Sequence, residues 1–265
     1  MRAADTLRAE DAPAGATRAG VLRTNAAPAD MPPADAMLVR HTASPAASAR
    51  CAGLQAIGLL GRRGAGCAVD LMLAPGHWLH LRGANGSGKT SLLRMLAGLL
   101  QPLAGSVQWQ GSDIRRDPAA YYANMAFLSH GNGLCGELSA AESLRYALAI
   151  AGAPLADTGP ALRAWRLHTC ADTPVSRLSQ GQRRRLALAA TVLSRKPLWL
   201  LDEPDAGLDA ASLDLLDQAL DAHLAGGGLA VVASHRAPGA APARKQTLDM
   251  DDYADAGNAV AVGAP

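Results

Sequence analysis

The strongest constraint on this chain is a glycine-rich segment at residues 83–90, which reads GANGSGKT and matches the pattern GxxxxGK[ST]. A strand-like apolar segment, residues 78–82, precedes it, and an apolar-periodic segment beginning at Lys89 follows it. A strand, a glycine-rich loop and a helix in this order form a phosphate-binding unit. Glycines let the backbone wrap closely so that successive N–H groups point at one phosphate, and the start of the helix adds its positive end. We therefore expect a nucleotide site here.

Each residue of this loop is a candidate nucleotide ligand. Lys89 would place a positive charge on the β- and γ-phosphates, and Thr90 would offer its hydroxyl to Mg²⁺. The alternative is a flexible turn beside an ordinary surface lysine, which the flanking strand and helix disfavour. The predicted nucleotide-binding residues are Gly83, Ala84, Asn85, Gly86, Ser87, Gly88, Lys89 and Thr90.

A second motif, residues 198–204, is an apolar run that ends in two carboxylates, Asp202 and Glu203. Such a run is typical of a central parallel strand, and ligands of open α/β sheets bind beyond the carboxyl ends of the strands. Asp202 is predicted to hold Mg²⁺, and Glu203 to accept a proton from the attacking water or to orient it. A pair of capping acids after a strand is the alternative, which the neighbouring phosphate loop disfavours.

Residues 54–236 alternate strand-like and helix-like segments, which is typical of an α/β domain with a largely parallel sheet. Residues 1–50 are rich in Ala and Pro and lack aromatic residues, so we expect a disordered leader. Residues 237–265 are expected to form a tail with at most one edge strand, near residues 245–249. The predicted strands are 78–82, 106–110, 125–129, 198–202 and 229–234, and the predicted helices are 89–100, 140–151, 182–194 and 211–224.

Two of these helices allow side-chain predictions. In the last helix an apolar stripe is predicted to face the sheet while the acidic residues face water, because both recur at helical spacing. In the helix from residue 182 the tripeptide Arg183, Arg184 and Arg185 is predicted to be its solvated start. The stripe consists of Leu213, Leu216 and Leu220, and the acidic residues are Asp214, Asp217 and Asp221.

Composition excludes several classes of protein. The chain has 265 residues, of which 49% are hydrophobic, and a formal net charge of +2, so it carries no broad positive charge for nucleic acid or an anionic membrane. No apolar run approaches the roughly 18 residues of a membrane span, and we expect a cytosolic chain. The four cysteines show no Cys-x-x-Cys spacing, so we expect reduced thiols: Cys51, Cys67, Cys135 and Cys170.

Residues 178–182 read LSQGQ and resemble the signature motif LSGGQ of ABC (ATP-binding cassette) ATPases. The resemblance implies an ABC-type P-loop domain with a mixed, mainly parallel sheet and a helical subdomain. It implies ATP and Mg²⁺ as ligands, and a homodimer in which each signature segment closes over the γ-phosphate held by the other subunit. It further implies a D-loop at Asp209 and a switch histidine, His235, that contacts the γ-phosphate and acts with Glu203. The implied signature residues are Ser179, Gln180, Gly181 and Gln182.

Within that superfamily, residues 74–83, 128–134 and 137–144 are similar to the ATP-binding subunits of cytochrome c biogenesis haem exporters. His130 stands where most ABC ATPases have the glutamine of the Q-loop, and that group often has histidine. The resemblance implies a peripheral subunit on the cytoplasmic face of the bacterial inner membrane. Its implied partners are membrane subunits of the CcmB and CcmC type and, indirectly, the haem chaperone CcmE, and haem export or release of loaded CcmE is the implied output.

Two other interpretations stay open. The chain could serve an ABC transporter for another solute, or it could be a non-transport ABC ATPase. Nucleic-acid-directed members carry long insertions between loop and signature, whereas here only residues 91–177 separate them, so no nucleic-acid partner is expected.

One family feature is missing. No aromatic residue precedes Trp78 to stack on adenine, and we predict that Arg62 or Arg63 covers the base.

Overall fold

The computed structural model describes residues 53–61, 68–153, 158–239 and 242–253. The predicted leader, residues 1–50, and the predicted adenine-covering residues, Arg62 and Arg63, lie outside these ranges. The strands are β1 Leu54–Leu60, β2 Val69–Leu73, β3 Trp78–Arg82, β4 Ala104–Trp109, β5 Ser112–Asp113, β6 Met125–Leu128, β7 Leu198–Asp202, β8 Leu229–Ala233 and β9 Lys245–Asp249. The helices are α1 Lys89–Leu96, α2 Pro118–Ala123, α3 Ala140–Ile150, α4 Gly159–Ala164, α5 Gln180–Leu193 and α6 Ala210–Ala225.

A five-stranded sheet in the order β6-β7-β8-β3-β9 forms the centre of the fold, and every neighbouring pair in it is parallel. Strands β7 and β8 are buried along their whole length, as their continuous apolar sequences predict. The carboxyl ends of β3, β7 and β8 lie side by side at one edge. This edge brings together the segments that follow Arg82, Asp202 and Ala233.

A second, antiparallel sheet in the order β2-β1-β4-β5 stands apart from the first. The resemblance implies a mixed, mainly parallel sheet, and in the structure the antiparallel pairs form this separate sheet. Strand β1 carries a bulge between Ala56 and Leu59, where Gly58 has φ 57°. The bulge interrupts the alternation of side chains, which is why sequence periodicity does not reveal this strand.

Alternate residues of the central strands face two hydrophobic cores, one on each side of the parallel sheet. Trp199 and Leu201 of β7 join one core, which includes apolar residues of α3, α4, α5 and α6. Leu198 and Leu200 join the other core, which includes residues of α1, β1 and β2. Helices α3 and α4 both pack on α5, and together they form the helical part of the domain.

Three details of the helices differ from the sequence-based predictions. Helix α1 ends at Leu96 because the chain turns at Gly98, which has φ 70°. On α6, Leu216 and Leu220 are buried as predicted, whereas Leu213 is only half-buried. Asp217 is also half-buried, because its carboxylate accepts a hydrogen bond of 2.9 Å from Arg236 Nη2. No helix within the described ranges is long and apolar enough to span a bilayer.

Candidate nucleotide-binding and hydrolysis site

The predicted phosphate loop connects the end of β3 to the start of α1. Gly86 and Gly88 have φ 86° and 101°, values that residues other than glycine rarely adopt. These two glycines shape the turn that leads into the helix. Lys89 is only 7% exposed, and its Nζ donates hydrogen bonds of 2.8 Å to Gly83 O and to Ala84 O. The ammonium group therefore folds back over the loop, close to where a phosphate would sit.

Ser87 provides a test of whether the loop fits a phosphate. Its hydroxyl is buried and has no hydrogen-bond partner among the described residues. A buried hydroxyl without a partner is unfavourable unless a ligand or water supplies the bond, because it has lost its hydration. Ser87 and Lys89 thus offer donors that an anion would satisfy, and the residues present fit a nucleotide phosphate.

Thr90 and Asp202 meet across the edge of the sheet. The Thr90 hydroxyl donates to both carboxylate oxygens of Asp202, at 3.1 and 3.0 Å. Asp202 is 3% exposed, and this burial raises the pKa of its carboxyl above the ordinary range; the bond from Thr90 opposes the shift and the charge of Glu203 adds to it. A hydroxyl next to a poorly solvated carboxylate is the oxygen donor set that Mg²⁺ prefers.

Glu203 follows Asp202 in a left-handed backbone conformation, with φ 50°. Its N–H donates a bond of 2.7 Å to Ala233 O, which fixes the residue to the end of β8. One carboxylate oxygen lies 3.3 Å from Nδ1 of His130, the residue at the predicted Q-loop position. The turn thereby directs the Glu203 carboxylate toward the loop that carries His130.

His235 follows the end of β8 on the same edge. Its Nε2 lies 2.9 Å from Asn85 Oδ1, so the predicted switch histidine contacts the phosphate loop. The preceding residue, Ser234, is 1% exposed, and its hydroxyl donates to Asp205 Oδ2 at 2.9 Å. This hydrogen bond directly links the segment after Glu203 to the segment that carries His235.

The signature residues begin helix α5. Ser179 Oγ accepts from Gln182 N at 3.2 Å, and Ser179 N donates to Gln182 Oε1 at 2.8 Å, so the two form a capping box. Within the described ranges, no hydrogen bond joins residues 179–182 to residues 83–90. The N–H groups at this helix start that the capping box does not use can donate hydrogen bonds to an anion from outside the chain.

The segment predicted as the D-loop, residues 205–209, lies against the predicted signature segment of the same chain. A Cβ at Gly181 would lie 2.7 Å from Gly207 O, and a Cβ at Gly207 would lie 3.5 Å from the Gln180 side chain. Asp209 caps α6 by accepting from Ser212 N at 2.8 Å, and hydrogen bonding from the side chain and then the backbone of Ser212 lowers the pKa of its carboxyl. The position predicted as the D-loop aspartate is thus also a helix cap.

Sequence reasoning misses two groups that reach this site. Asp251, from the turn after β9, accepts hydrogen bonds from Ala84 N at 2.9 and 3.0 Å. Arg184 is 2% exposed, so the prediction that residues 183–185 are a solvated helix start is wrong for this residue. The helical period is the signal that identifies it, since Arg184 shares a face with Ala187, Leu188 and Thr191, which are all buried.

A parallel sheet with this phosphate loop, and with paired carboxylates at its edge, defines a P-loop nucleotide-binding domain. The ABC transporter family profile matches residues 67–206. The cytochrome c biogenesis ATP-binding export protein CcmA of Bordetella bronchiseptica is 61% identical over 212 residues, which are 79% of this chain and 95% of that protein. The CcmA of Methylococcus capsulatus is 44% identical over 171 residues, 64% of this chain and 83% of that protein. The chain belongs to the ABC transporter family, as a CcmA-type ATP-binding protein.

Solved structures agree with this fold. An ATP-binding subunit of an ABC transporter matches with a TM-score of 0.63 at 25% identity, over 69% of this chain and 79% of that one. A dimeric ATP-binding cassette in a post-hydrolysis state, bound to ADP and Pi, matches with a TM-score of 0.59 at 21% identity, over 69% of this chain and 88% of that one. The second match supports the fold alone. The prediction of an ABC-type P-loop fold is confirmed.

Proposed function

We propose that this chain hydrolyses ATP as the ATP-binding subunit of an export complex for cytochrome c biogenesis. The observation that carries the proposal is that four predicted site residues lie at one edge of the sheet: Lys89, Thr90, Asp202 and Glu203. The chain that holds them is 61% identical to a CcmA export protein. The phosphate loop supplies binding, and the two carboxylates supply the chemistry.

The roles of the site residues follow from their positions. Lys89 and the loop N–H groups would bind the β- and γ-phosphates, and Thr90 and Asp202 would hold Mg²⁺, which neutralises phosphate charge when bound. Glu203 would accept a proton from the attacking water or orient it. His235 would contact the γ-phosphate, because its ring already lies against Asn85 of the loop.

The signature residues require a second subunit. Ser179 and Gly181 belong to the start of α5, which makes no hydrogen bond to the phosphate loop of its own chain within the described ranges. In a homodimer they would close over ATP held by the Lys89 of the other subunit, with Gln180 and Gln182 beside them. A solved cassette with this fold is itself dimeric, in a post-hydrolysis state bound to ADP and Pi.

The segment around His130 would transmit closure and opening to membrane subunits of the CcmB and CcmC type. The chain would then lie on the cytoplasmic face of the bacterial inner membrane, and the work would be haem export or release of haem-loaded CcmE. The similarity to CcmA proteins supports this assignment over a transporter for another solute or a non-transport ATPase.

Replacing Glu203 by Gln tests the proposal. The variant is expected to bind ATP and to accumulate as an ATP-bound dimer, with kcat lowered by about 100-fold or more, because it loses the proton acceptor. Steady-state ATPase rates and size-exclusion chromatography with ATP measure the two effects. Glu137→Gln, at an exposed position, is the matched control.

Normal turnover by Glu203→Gln would refute the assignment of Glu203. In cells, a strain without the gene is expected to lose its c-type cytochromes, and only the wild-type chain is expected to restore them. A strain that keeps its cytochromes but loses transport of another solute would refute the biogenesis role.

A further inference from the structure

Arg184 is a buried cation that joins three segments of the site. Its guanidinium donates four hydrogen bonds, two from each terminal nitrogen. One nitrogen reaches Ser129 O at 3.0 Å and Asn132 Oδ1 at 2.7 Å, on either side of His130. The other reaches Asp202 O at 3.2 Å and Glu203 O at 2.8 Å. Arg184 itself belongs to α5, the helix that begins with the signature residues.

The cost of burying this charge shows that the arrangement is specific. Burial lowers the pKa of Arg184, while the nearby carboxylates of Asp202, Asp205 and Glu203 act in the opposite direction. A buried cation is retained only where hydrogen bonds and opposite charges compensate its lost hydration. An apolar side chain would fill the same place on α5 without that cost. The guanidinium therefore contributes something that packing alone does not.

Both pairs of acceptor oxygens, one on Ser129 and Asn132 and the other on Asp202 and Glu203, affect the catalytic geometry. Glu203 has φ 50°, so a bond to its carbonyl oxygen helps to fix the turn that aims its carboxylate. The bonds to Ser129 and Asn132 fix the loop that carries His130, whose ring lies 3.3 Å from that carboxylate. A single planar group thus sets the distance between Glu203 and its neighbour His130.

We infer that Arg184 is a positioning residue for ATP hydrolysis, which holds the Glu203 turn and the His130 loop in register with the signature helix. The inference rests on the proposed function. Arg184 touches no reacting atom and acts through Glu203. When α5 shifts as its first residues engage the ATP of the other subunit, Arg184 carries that shift to the hydrolytic edge of its own subunit.

Substitution of Arg184 in the full chain separates positioning from binding. Arg184→Gln is expected to lower kcat by about 10- to 100-fold, because a misplacement of about 1 Å at a reacting group has an effect of that size. The KM for MgATP and the affinity for ADP are expected to stay within about twofold, since the phosphate loop is untouched. Arg183→Gln, one residue away and outside these four contacts, is the matched control.

Arg184→Lys tests the geometry of the contact. The ammonium keeps the charge, but a single nitrogen cannot reach both carbonyl pairs as the planar fork does. Its kcat is expected to lie between those of the wild type and Arg184→Gln. A kcat for a folded Arg184→Gln protein within twofold of wild type, or a lysine variant no faster than the glutamine variant, would overturn the inference. A loss of ADP affinity as large as the loss in kcat would also overturn it.

Asn132 offers a second route if Arg184→Gln does not fold. Asn132 has φ 62°, which glycine adopts without strain, so Asn132→Gly removes one acceptor of Arg184 and leaves the core intact. Asn132→Gly is expected to lower kcat severalfold, whereas Asn132→Asp keeps the acceptor oxygen and should retain activity. Equal kcat values for these two variants would contradict the inference. An inactive wild-type protein would instead refute the proposed function.

Discussion

At the scale of one residue, Asp202 is a site residue that lowers the stability of the folded protein. The carboxyl is 3% exposed, and burial is the largest cause of its raised pKa. As the pH rises, the unfolded chain releases this proton before the folded chain does. Asp202 therefore lowers the free energy of unfolding between the two pKa values and keeps it lower at every pH above them.

Asp202→Asn is expected to raise the Tm of the nucleotide-free protein at pH 7, because it removes the poorly solvated charge. The gain should disappear at a pH below both pKa values, and Mg²⁺-dependent ATP hydrolysis should be lost. Thermal unfolding at pH 7 and at acidic pH measures the first effect. Asp214→Asn, at an exposed position of α6, is the control. A lower Tm at pH 7 for Asp202→Asn would contradict this account of the carboxyl.

Sequence motifs identify the residues predicted to contact the nucleotide better than they identify the residues that hold those side chains in place. The phosphate loop, Asp202 and Glu203 stand in short contiguous patterns, so their proximity follows from the rule for parallel strands. Arg184 and Ser234 are not part of these two motifs. Their importance depends on which backbone carbonyls and side chains lie opposite them, and only the three-dimensional structure shows this.

At the scale of elements, α3 and α5 begin in the same way. Ser139 and Glu142 form a capping box on α3, and Ser179 and Gln182 form one on α5. Only the second box lies in the signature segment. Comparing the two capping boxes therefore distinguishes the stability that a helix cap contributes from the predicted contact with ATP in the other subunit.

Ser139→Ala and Ser179→Ala are each expected to lower the free energy of unfolding by about 0.5–2 kcal/mol, since each loses a cap. Only Ser179→Ala is expected to lower the ATPase rate as well. Denaturant titration and steady-state ATPase assays measure the two effects. Equal ATPase rates for the two variants would count against a role for Ser179 beyond capping.

The elements themselves were predictable where the sequence period is long or the apolar run is continuous. The limits predicted for β3 and β7 match the structure, and α3, α5 and α6 differ from prediction by one or two residues at an end. The strands β1, β2 and β5 and the helices α2 and α4 were not predicted. The bulge at Gly58 disrupts the period of β1, and β5, α2 and α4 are too short to show one. In β2 the exposed Met72 is apolar, so the sequence does not alternate.

At the scale of the whole molecule, β9 ties distant parts of the chain together. Strand β9 pairs with β3, Met250 is 1% exposed in the core, and Asp249 accepts a bond of 2.7 Å from Arg82 Nε. Asp251 then reaches Ala84 of the phosphate loop. The sheet that holds the nucleotide site thus extends past residue 236.

Asp251→Ala is expected to lower the free energy of unfolding by about 1 kcal/mol, because the loop N–H loses a charged acceptor and water replaces it only in part. For a domain of this size, the corresponding fall in Tm is about 2–4 °C. Asp252→Ala, at the exposed neighbouring position, is the control. Equal Tm values for the two variants would show that the contact with Ala84 contributes nothing to stability.

The strand order also sets when the ATP site can form during synthesis. Strand β3 leaves the ribosome early, but its two neighbours in the sheet are β8 and β9, which end at Ala233 and Asp249. Pairings between such distant segments form late, because long loops must close first. A nascent chain therefore carries its phosphate-loop sequence without the sheet that shapes it until residues 229–249 have been synthesised. ATP can act as a ligand only after β8 and β9 have been synthesised and have paired with β3.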